Sequence, residues 1–213
     1  MTNFREVTTQ ELIDRQNKGA LVIDVRPVDA YNGWKLKNEP RGGHIKGAKS
    51  LPAKWTGYMD WIEIVRHKEI DPSREIIIYG YNRDEAQKVA ESFEKAGYSK
   101  MALFNHFLDE WTTDDTLPMS YLPKYRQLVS AQWVNKLISG EKPAEYDNDK
   151  YVVVHAHYRN RDAYLTGHIP GAIDMDTNAL ESPETWNRRS PEELNKALEE
   201  HGITADTTVI LYG

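Results

Sequence analysis

The sequence contains no cysteine. That absence excludes disulfides, thiolate metal sites and any thiol nucleophile within these 213 residues. Long apolar runs are missing too. Nothing approaches the roughly 20 residues that a membrane span needs, and Met1-Thr2-Asn3-Phe4-Arg5-Glu6 lacks the apolar centre of a secretion signal. Positive charge gathers nowhere: 27 Lys and Arg stand against 33 Asp and Glu, a formal net charge of -6, and the basic residues are dispersed. A nucleic acid or an acidic membrane would require a basic stripe. The expectation is a cytoplasmic protein as given, exported if a leader was removed, with no nucleic-acid partner, no membrane partner and no cofactor.

What is present is globular. Hydrophobic residues at 39% and charged ones at 28% place the chain with folded proteins rather than disordered ones. Its length suits one large domain or two of about 100 residues. Thr8 and Glu11 have capping-box spacing, which predicts a helix ending near Gly19. Ala20 to Val25 reads as a buried strand, Ala48 to Pro52 as a short one, and Trp55 to Arg66 as a helix with Tyr58, Trp61, Ile62 and Val65 on one face. Strands at Ile76 to Tyr79 and Met101 to Phe104 bracket a helix from about Asp84 to Ala96, with Gly97 beyond its end. This alternation implies an α/β fold with a mainly parallel central sheet flanked by helices.

Residues 112–128 lose all period, and the pattern then restarts. Ser130 to Leu137 reads as a helix, Tyr151 to Val154 as a strand, Glu192 to Glu200 as a helix and Val209 to Leu211 as a strand. The restart is a repeat. Gly43-His44-Ile45-Lys46-Gly47-Ala48 answers to Gly167-His168-Ile169-Pro170-Gly171-Ala172. In each copy a tyrosine precedes the motif (Tyr31, Tyr164), and a strand ending Tyr-Gly follows it (Tyr79-Gly80, Tyr212-Gly213).

The stretch that organises the chain is Ile76 to Glu85. An apolar strand stops at Gly80, a short polar loop follows, and a helix begins. Backbone N–H groups at a helix N-terminus suit an anion or an activated nucleophile. Gly80, Tyr81, Asn82, Arg83, Asp84 and Glu85 contain no thiol to activate.

Leu21-Val22-Ile23-Asp24-Val25-Arg26, then a tyrosine, then Gly-His-Ile-x-Gly-Ala, then strand, loop and helix, resembles the rhodanese-like domain. Trp111 and Leu117-Pro118 echo that domain's ending. The resemblance covers most of residues 6–118 and, more weakly, 129–213. Two copies in one chain are similar to the N-terminal part of a three-domain thiosulfate sulfurtransferase. The resemblance implies a complete copy over 4–118, a linker over 119–128, and the N-terminal part of a second copy over 129–213. In the family, the loop after the central strand begins with a cysteine that becomes a persulfide and passes its sulfur to an acceptor. The cysteine's position falls on Gly80, and in the second copy on Gly213, so both loops are expected to be vestigial. Asp84 and Glu85 stabilise a helix start but repel an incoming anion.

Beside this, Asp24 and Arg26 offer either an internal ion pair or a substrate contact, of which a supporting structural role after the buried strand is preferred, and His44 and His168 are read as scaffold residues. His155 and His157 alternate on one strand and share a face, but without a carboxylate at ligand spacing nearby no metal is expected. Trp34, Trp55, Trp61 and Trp133 read as packing residues.

The expected function is therefore the non-catalytic, rhodanese-like N-terminal part of a thiosulfate sulfurtransferase, inactive alone, with the persulfide cysteine in a downstream domain. A cysteine-less binding or regulatory module is the alternative. A phosphatase of this fold requires both a cysteine and a longer loop. The expected partners are the C-terminal part of the same protein or a second chain completing the second copy, together with a sulfur-acceptor protein.

Overall fold

The computed structural model describes residues 4–213; Met1, Thr2 and Asn3 lie outside it. The chain divides into two compact units, residues 1–130 and 131–213.

The first unit is built on a five-stranded, wholly parallel sheet. Its strands are β1 (Arg5–Glu6), β2 (Leu21–Asp24), β4 (Lys49–Ser50), β5 (Ile76–Tyr79) and β6 (Met101–Phe104), in the order β1-β6-β5-β2-β4. A short β3 (His44–Ile45) pairs antiparallel with β7 (Met119–Ser120) outside the sheet. Every residue of β2 and β5 is buried, as expected of central strands covered on both faces. Strand alternation sends Ile76 and Ile78 to one face and Ile77 and Tyr79 to the other, where they enter separate cores.

The helices follow from their caps and stripes. Helix α1 (Thr9–Asn17) opens on a complete capping box: Thr8 Oγ1 accepts from the Glu11 N–H, and Glu11 Oε2 accepts from the Thr8 N–H. Helix α4 (Arg83–Lys95) buries Ala86, Val89, Ala90 and Phe93, an i, i+3, i+4, i+7 stripe, against the sheet. Gly97 follows it at φ +90°. The short helix α2 (Val28–Asn32) leads into the loop before β3.

Two expectations need correcting here. The helix foreseen from Trp55 to Arg66 is broken. A 3-10 turn spans Ala53–Gly57, Tyr58 is extended, and α3 occupies Trp61–His67. Tyr58 thus leaves the buried stripe and stands about half exposed. Residues 119–128, expected as a linker, are held by the first unit. Besides the β3–β7 pairing, the Leu122 N–H donates to the Asn32 carbonyl at 2.8 Å, and Trp34 Nε1 donates to the Leu128 carbonyl at 3.0 Å. The segment packs through single side chains and backbone groups, which leave no period in the sequence.

The second unit comprises α5 (Ala131–Ile138), β8 (Tyr151–His157), α6 (Arg161–Thr166), β9 (Ile173–Asp176), α7 (Pro191–Glu200) and β10 (Thr208–Tyr212). Its parallel sheet has the order β10-β8-β9. Strand β8 runs three residues beyond the expected Val154, so His155 and His157 lie inside it. Strand β10 is an edge among the described residues: Ile210 is buried while Leu211 is 66% exposed. No described helix is long and apolar enough to cross a membrane.

Phe93 anchors α4, its ring centroid lying 5.5 Å from that of Trp61 and 4.8 Å from that of Tyr98. Phe93→Ala should lower the unfolding free energy of the first unit by about 3–5 kcal/mol in urea titrations.

Candidate functional site

The candidate site lies at the carboxyl end of β5, where ligands bind in open parallel sheets. Beneath it, Asp24 and Arg26 are fully buried and paired. Arg26 Nε donates to Asp24 Oδ1 at 3.0 Å and Nη2 to Oδ2 at 2.6 Å, while the Arg26 N–H donates to Oδ1 at 3.0 Å. Nη2 also donates to the Gly43 carbonyl at 2.7 Å, which ties β2 to the segment entering β3. Tyr79 Oη donates to Asp24 Oδ2 at 2.7 Å and accepts from the Ile45 N–H at 3.1 Å. Burial is the largest single influence and disfavours the guanidinium's charge, but the Asp24 carboxylate with Tyr79 and Tyr81 together outweighs it and raises the Arg26 pKa further. Burial, then the Asp24 charge, pushes the Tyr79 phenol well above its ordinary range.

Two members of this network carried no sequence signal. Glu39 is buried and places Oε1 3.8 Å from Arg26 Nη1; it accepts hydrogen bonds from Tyr81 Oη and from the Lys37 N–H, the latter at 2.8 Å. Phe107 lies on a π-helical turn, Phe107–Trp111, with its ring centroid 4.0 Å from the Arg26 guanidinium carbon. Glu39 sits in a polar segment that reads as surface loop. Tyr79 was findable, because its counterpart Tyr212 also precedes a glycine.

The loop itself is closed from within. Asn82 caps α4, its Oδ1 accepting from the Glu85 N–H at 2.9 Å. Glu85 folds back so that Oε2 accepts from the Tyr81 N–H at 3.1 Å. A Cβ built on Gly80 would stand 3.1 Å from that same Oε2 and 3.0 Å from Val25 Cγ2. The Glu85 carboxylate therefore occupies space beside Gly80, where the resemblance implies a vestigial site. Arg83 pairs with Glu6 at 2.7 Å and donates to Gln87 Oε1, so its guanidinium is drawn along the helix side. Asp84 is exposed on the first turn.

The second unit repeats the scaffold with different polar residues. Tyr31 stacks on His44, with centroids 3.7 Å apart; Tyr164 stacks on His168 at 4.0 Å. The two tyrosine hydroxyls donate to the Ala48 and Ala172 carbonyls, each at 2.9 Å. Tyr212 Oη accepts from the Ile169 N–H at 2.9 Å, as Tyr79 does from Ile45. His155 stands at the position of Asp24, with Nδ1 buried and unpaired. His157 stands at that of Arg26. A carboxylate absent from the sequence reading lies beside it: Asp174 Oδ1 is 2.7 Å from His157 Nε2, and Arg161 Nε is 2.9 Å from Asp174 Oδ2. His157 Nδ1 accepts from the Asn160 N–H at 3.1 Å, so both ring nitrogens are engaged. Gly213 lies against β8, where an added Cβ would meet the Ala156 carbonyl at 2.5 Å.

Among the described residues, His106, Asp109 and Glu110 form one group whose ligand atoms lie within 4.8 Å of one another. His106 Nδ1 is 3.2 Å from Asp109 and 3.3 Å from Glu110, and the group stands at the surface. Trp34 and Trp61 pack against Tyr125 and Phe93. Trp133 packs against Tyr146, and the Lys68 amine lies over the Trp55 ring.

Because the chain has no other thiol, Gly80→Cys can be titrated by pH-dependent alkylation. The Glu85 carboxylate should hold that thiol above the ordinary value of about 8.5. Adding Glu85→Ala should lower it, and equal values in the two variants would contradict the geometry. Burial depresses the His44 pKa below the ordinary 6.5, partly opposed by the Tyr31 carbonyl accepting from Nδ1 at 2.7 Å. The unfolded chain then binds the proton more readily, so this contribution is full above pH about 6.5 and is lost as pH falls below it. Urea titrations at pH 7.5 and 5.5 should show a smaller acid destabilisation for His44→Gln than for wild type.

Comparison with known proteins agrees with this arrangement. The model of the rhodanese-like domain matches residues 8–114 and again 130–213. A thiosulfate sulfurtransferase of Escherichia coli, YnjE, is 33% identical over 96% of the chain, which covers 46% of that protein. The sulfur carrier protein TtuD of Thermus thermophilus is 36% identical over 40% of the chain and 27% of its own length. Among solved structures, wild-type EanB superposes with a TM-score of 0.95 at 58% identity, covering 99% of this chain and 49% of that one. An anaerobic ergothioneine biosynthesis enzyme from Chlorobium limicola, in complex with its natural substrate trimethyl histidine, aligns at the same score and identity over 50% of its length. The chain thus spans about half the length of YnjE and of EanB. With two matched copies and the supporting network of each on view, the chain belongs to the family of rhodanese-like domains.

Proposed function

We propose that this chain is a non-catalytic, two-copy scaffold within a sulfur-transfer enzyme whose persulfide cysteine lies outside these 213 residues. The observation that carries this reading is the loop after β5: glycine stands at the thiol's position and the Glu85 carboxylate at its side. A carboxylate there adds like charge to a thiolate and to an anionic sulfur donor, while the buried network beneath the loop is complete. The chain conserves the frame and has no group to form the covalent intermediate.

Two acceptor chemistries compete. EanB, 58% identical over nearly the whole chain, is described with hercynine and with ergothioneine covalently linked to a persulfide cysteine. YnjE, at 33%, is a thiosulfate sulfurtransferase. The higher identity over the same span favours transfer of sulfane sulfur to a trimethylated histidine over transfer from thiosulfate to a small acceptor. A cysteine-less binding module is the remaining reading.

The exposed edge of β10 supports a partner strand in this reading. In the first unit β5 is flanked by β2 and β6, whereas β10 has β8 on one side and presents Leu211 to solvent. A further parallel strand, from the same protein or a second chain, would cover it as β6 covers β5.

The test is a two-arm assay. The 213-residue chain, supplied with a sulfane sulfur donor and either hercynine or cyanide, should form neither ergothioneine nor thiocyanate. The same chain joined to the remainder of its gene product should form ergothioneine. Thiocyanate alone would favour the thiosulfate reading, and turnover by the 213-residue chain itself would overturn the proposal.

A further inference from the structure

The turn after β6 carries a group of ligand-bearing side chains that the loop after β5 does not use. Phe107 to Trp111 form a π-helical turn, in which the Thr112 N–H donates to the Phe107 carbonyl, five residues back, at 2.9 Å. Phe107 and Trp111 are buried and anchor the turn in the core. Asp109 and Glu110 are left on its exposed side, both reaching His106 Nδ1, at 3.2 and 3.3 Å.

These spacings suit a metal. Bonds of about 2.0–2.2 Å place neighbouring donors about 3.0–3.5 Å apart in octahedral or tetrahedral coordination. Two carboxylates converge on one imidazole nitrogen, and among the described residues neither is paired with a Lys or Arg. Glu110 is oriented from outside the group: Thr9 Oγ1, at the start of α1, donates to its Oε2, while Oε1 faces His106. An outer hydrogen bond of this kind fixes a ligating carboxylate. A separate observation lies one residue upstream. The Asn105 side chain hydrogen-bonds the Glu6 carboxylate, which requires its amide nitrogen there, and its Oδ1 is left buried with no partner. A buried acceptor without a donor is a common seat for an ordered water or an ion. Glu6 is close enough to His106 to interact with its charge, so the orphan oxygen and the three ligands share one neighbourhood.

We propose that His106, Asp109 and Glu110 bind a divalent transition-metal ion of the zinc or cobalt class. One imidazole nitrogen with two carboxylate oxygens and no sulfur suits such an ion. The three side chains are 41%, 65% and 49% exposed, so water completes the coordination. Binding here does not depend on the sulfur-transfer reading, because each readout concerns the metal alone.

The probes are Zn²⁺, Co²⁺ and Ca²⁺, each added to the chelator-treated chain. Calorimetry should show one Zn²⁺ per chain, with Kd about 10 µM or tighter. Paramagnetic Co²⁺ should broaden the amide resonances of residues 105–113 before any others. His106→Gln, and separately Asp109→Asn with Glu110→Gln, should each weaken Zn²⁺ by about tenfold or more while the remaining spectrum is preserved. Ca²⁺, which prefers oxygen ligands, should bind at least about tenfold more weakly than Zn²⁺. No saturable Zn²⁺ binding below about 1 mM, or Zn²⁺ binding left unchanged by either variant, would overturn the proposal. Ca²⁺ bound as tightly as Zn²⁺ would overturn the assignment of His106 as a ligand.

Discussion

The buried Asp24–Arg26 pair is the interaction on which the first unit's functional end depends. Its carboxylate serves the guanidinium, a backbone N–H and the Tyr79 hydroxyl, while the guanidinium reaches the Gly43 carbonyl and lies against Phe107. Strand β2, strand β5, the entry to β3 and the π-helical turn therefore meet at one charge pair. Removing one partner from such a pair typically costs about 3–5 kcal/mol, because the other charge is left buried. Glu39 and Tyr81 extend the network to the loop, so the pair fixes the ground beneath Gly80 as well as the core.

The second unit solves the same problem differently. The strand positions of Asp24 and Arg26 hold His155 and His157, and the acid moves to the neighbouring strand as Asp174. Common to both units is the uncharged frame: a tyrosine stacked on a histidine, its hydroxyl on a backbone carbonyl, and a second tyrosine at the strand end accepting from the residue after that histidine. The repeat preserves the hydrogen-bonded frame and varies the charges. Glu85 closes the first loop with the chain's own carboxylate.

Much of this was legible in the sequence because strong periodic elements coincide with strong local signals. The capping box at Thr8, the α4 stripe ending in Phe93, and the two Gly-His-Ile motifs each state their structure within about ten residues. The failures have a common cause. Residues 119–128 attach through isolated contacts, Trp34 to the Leu128 carbonyl among them, and isolated contacts have no period. Glu39 is buried by partners remote in sequence, and Asp174 meets His157 only through strand pairing. Tyr58 fell away because the helix breaks at Gly57, where the spacing of apolar residues continues without the backbone. The charges at Asp84 and Glu85 were readable, but the return of Glu85 to the Tyr81 N–H was not.

The loop after β5 keeps an anion-receiving backbone already filled by Glu85. The most direct measurement is a sulfate and thiosulfate titration at low ionic strength, observed through the amide resonances of Tyr81 to Glu85. Wild type should show no saturable shifts at these amides, and Glu85→Ala should acquire them. Saturable binding at these amides in wild type, with Glu85 in place, would contradict the account.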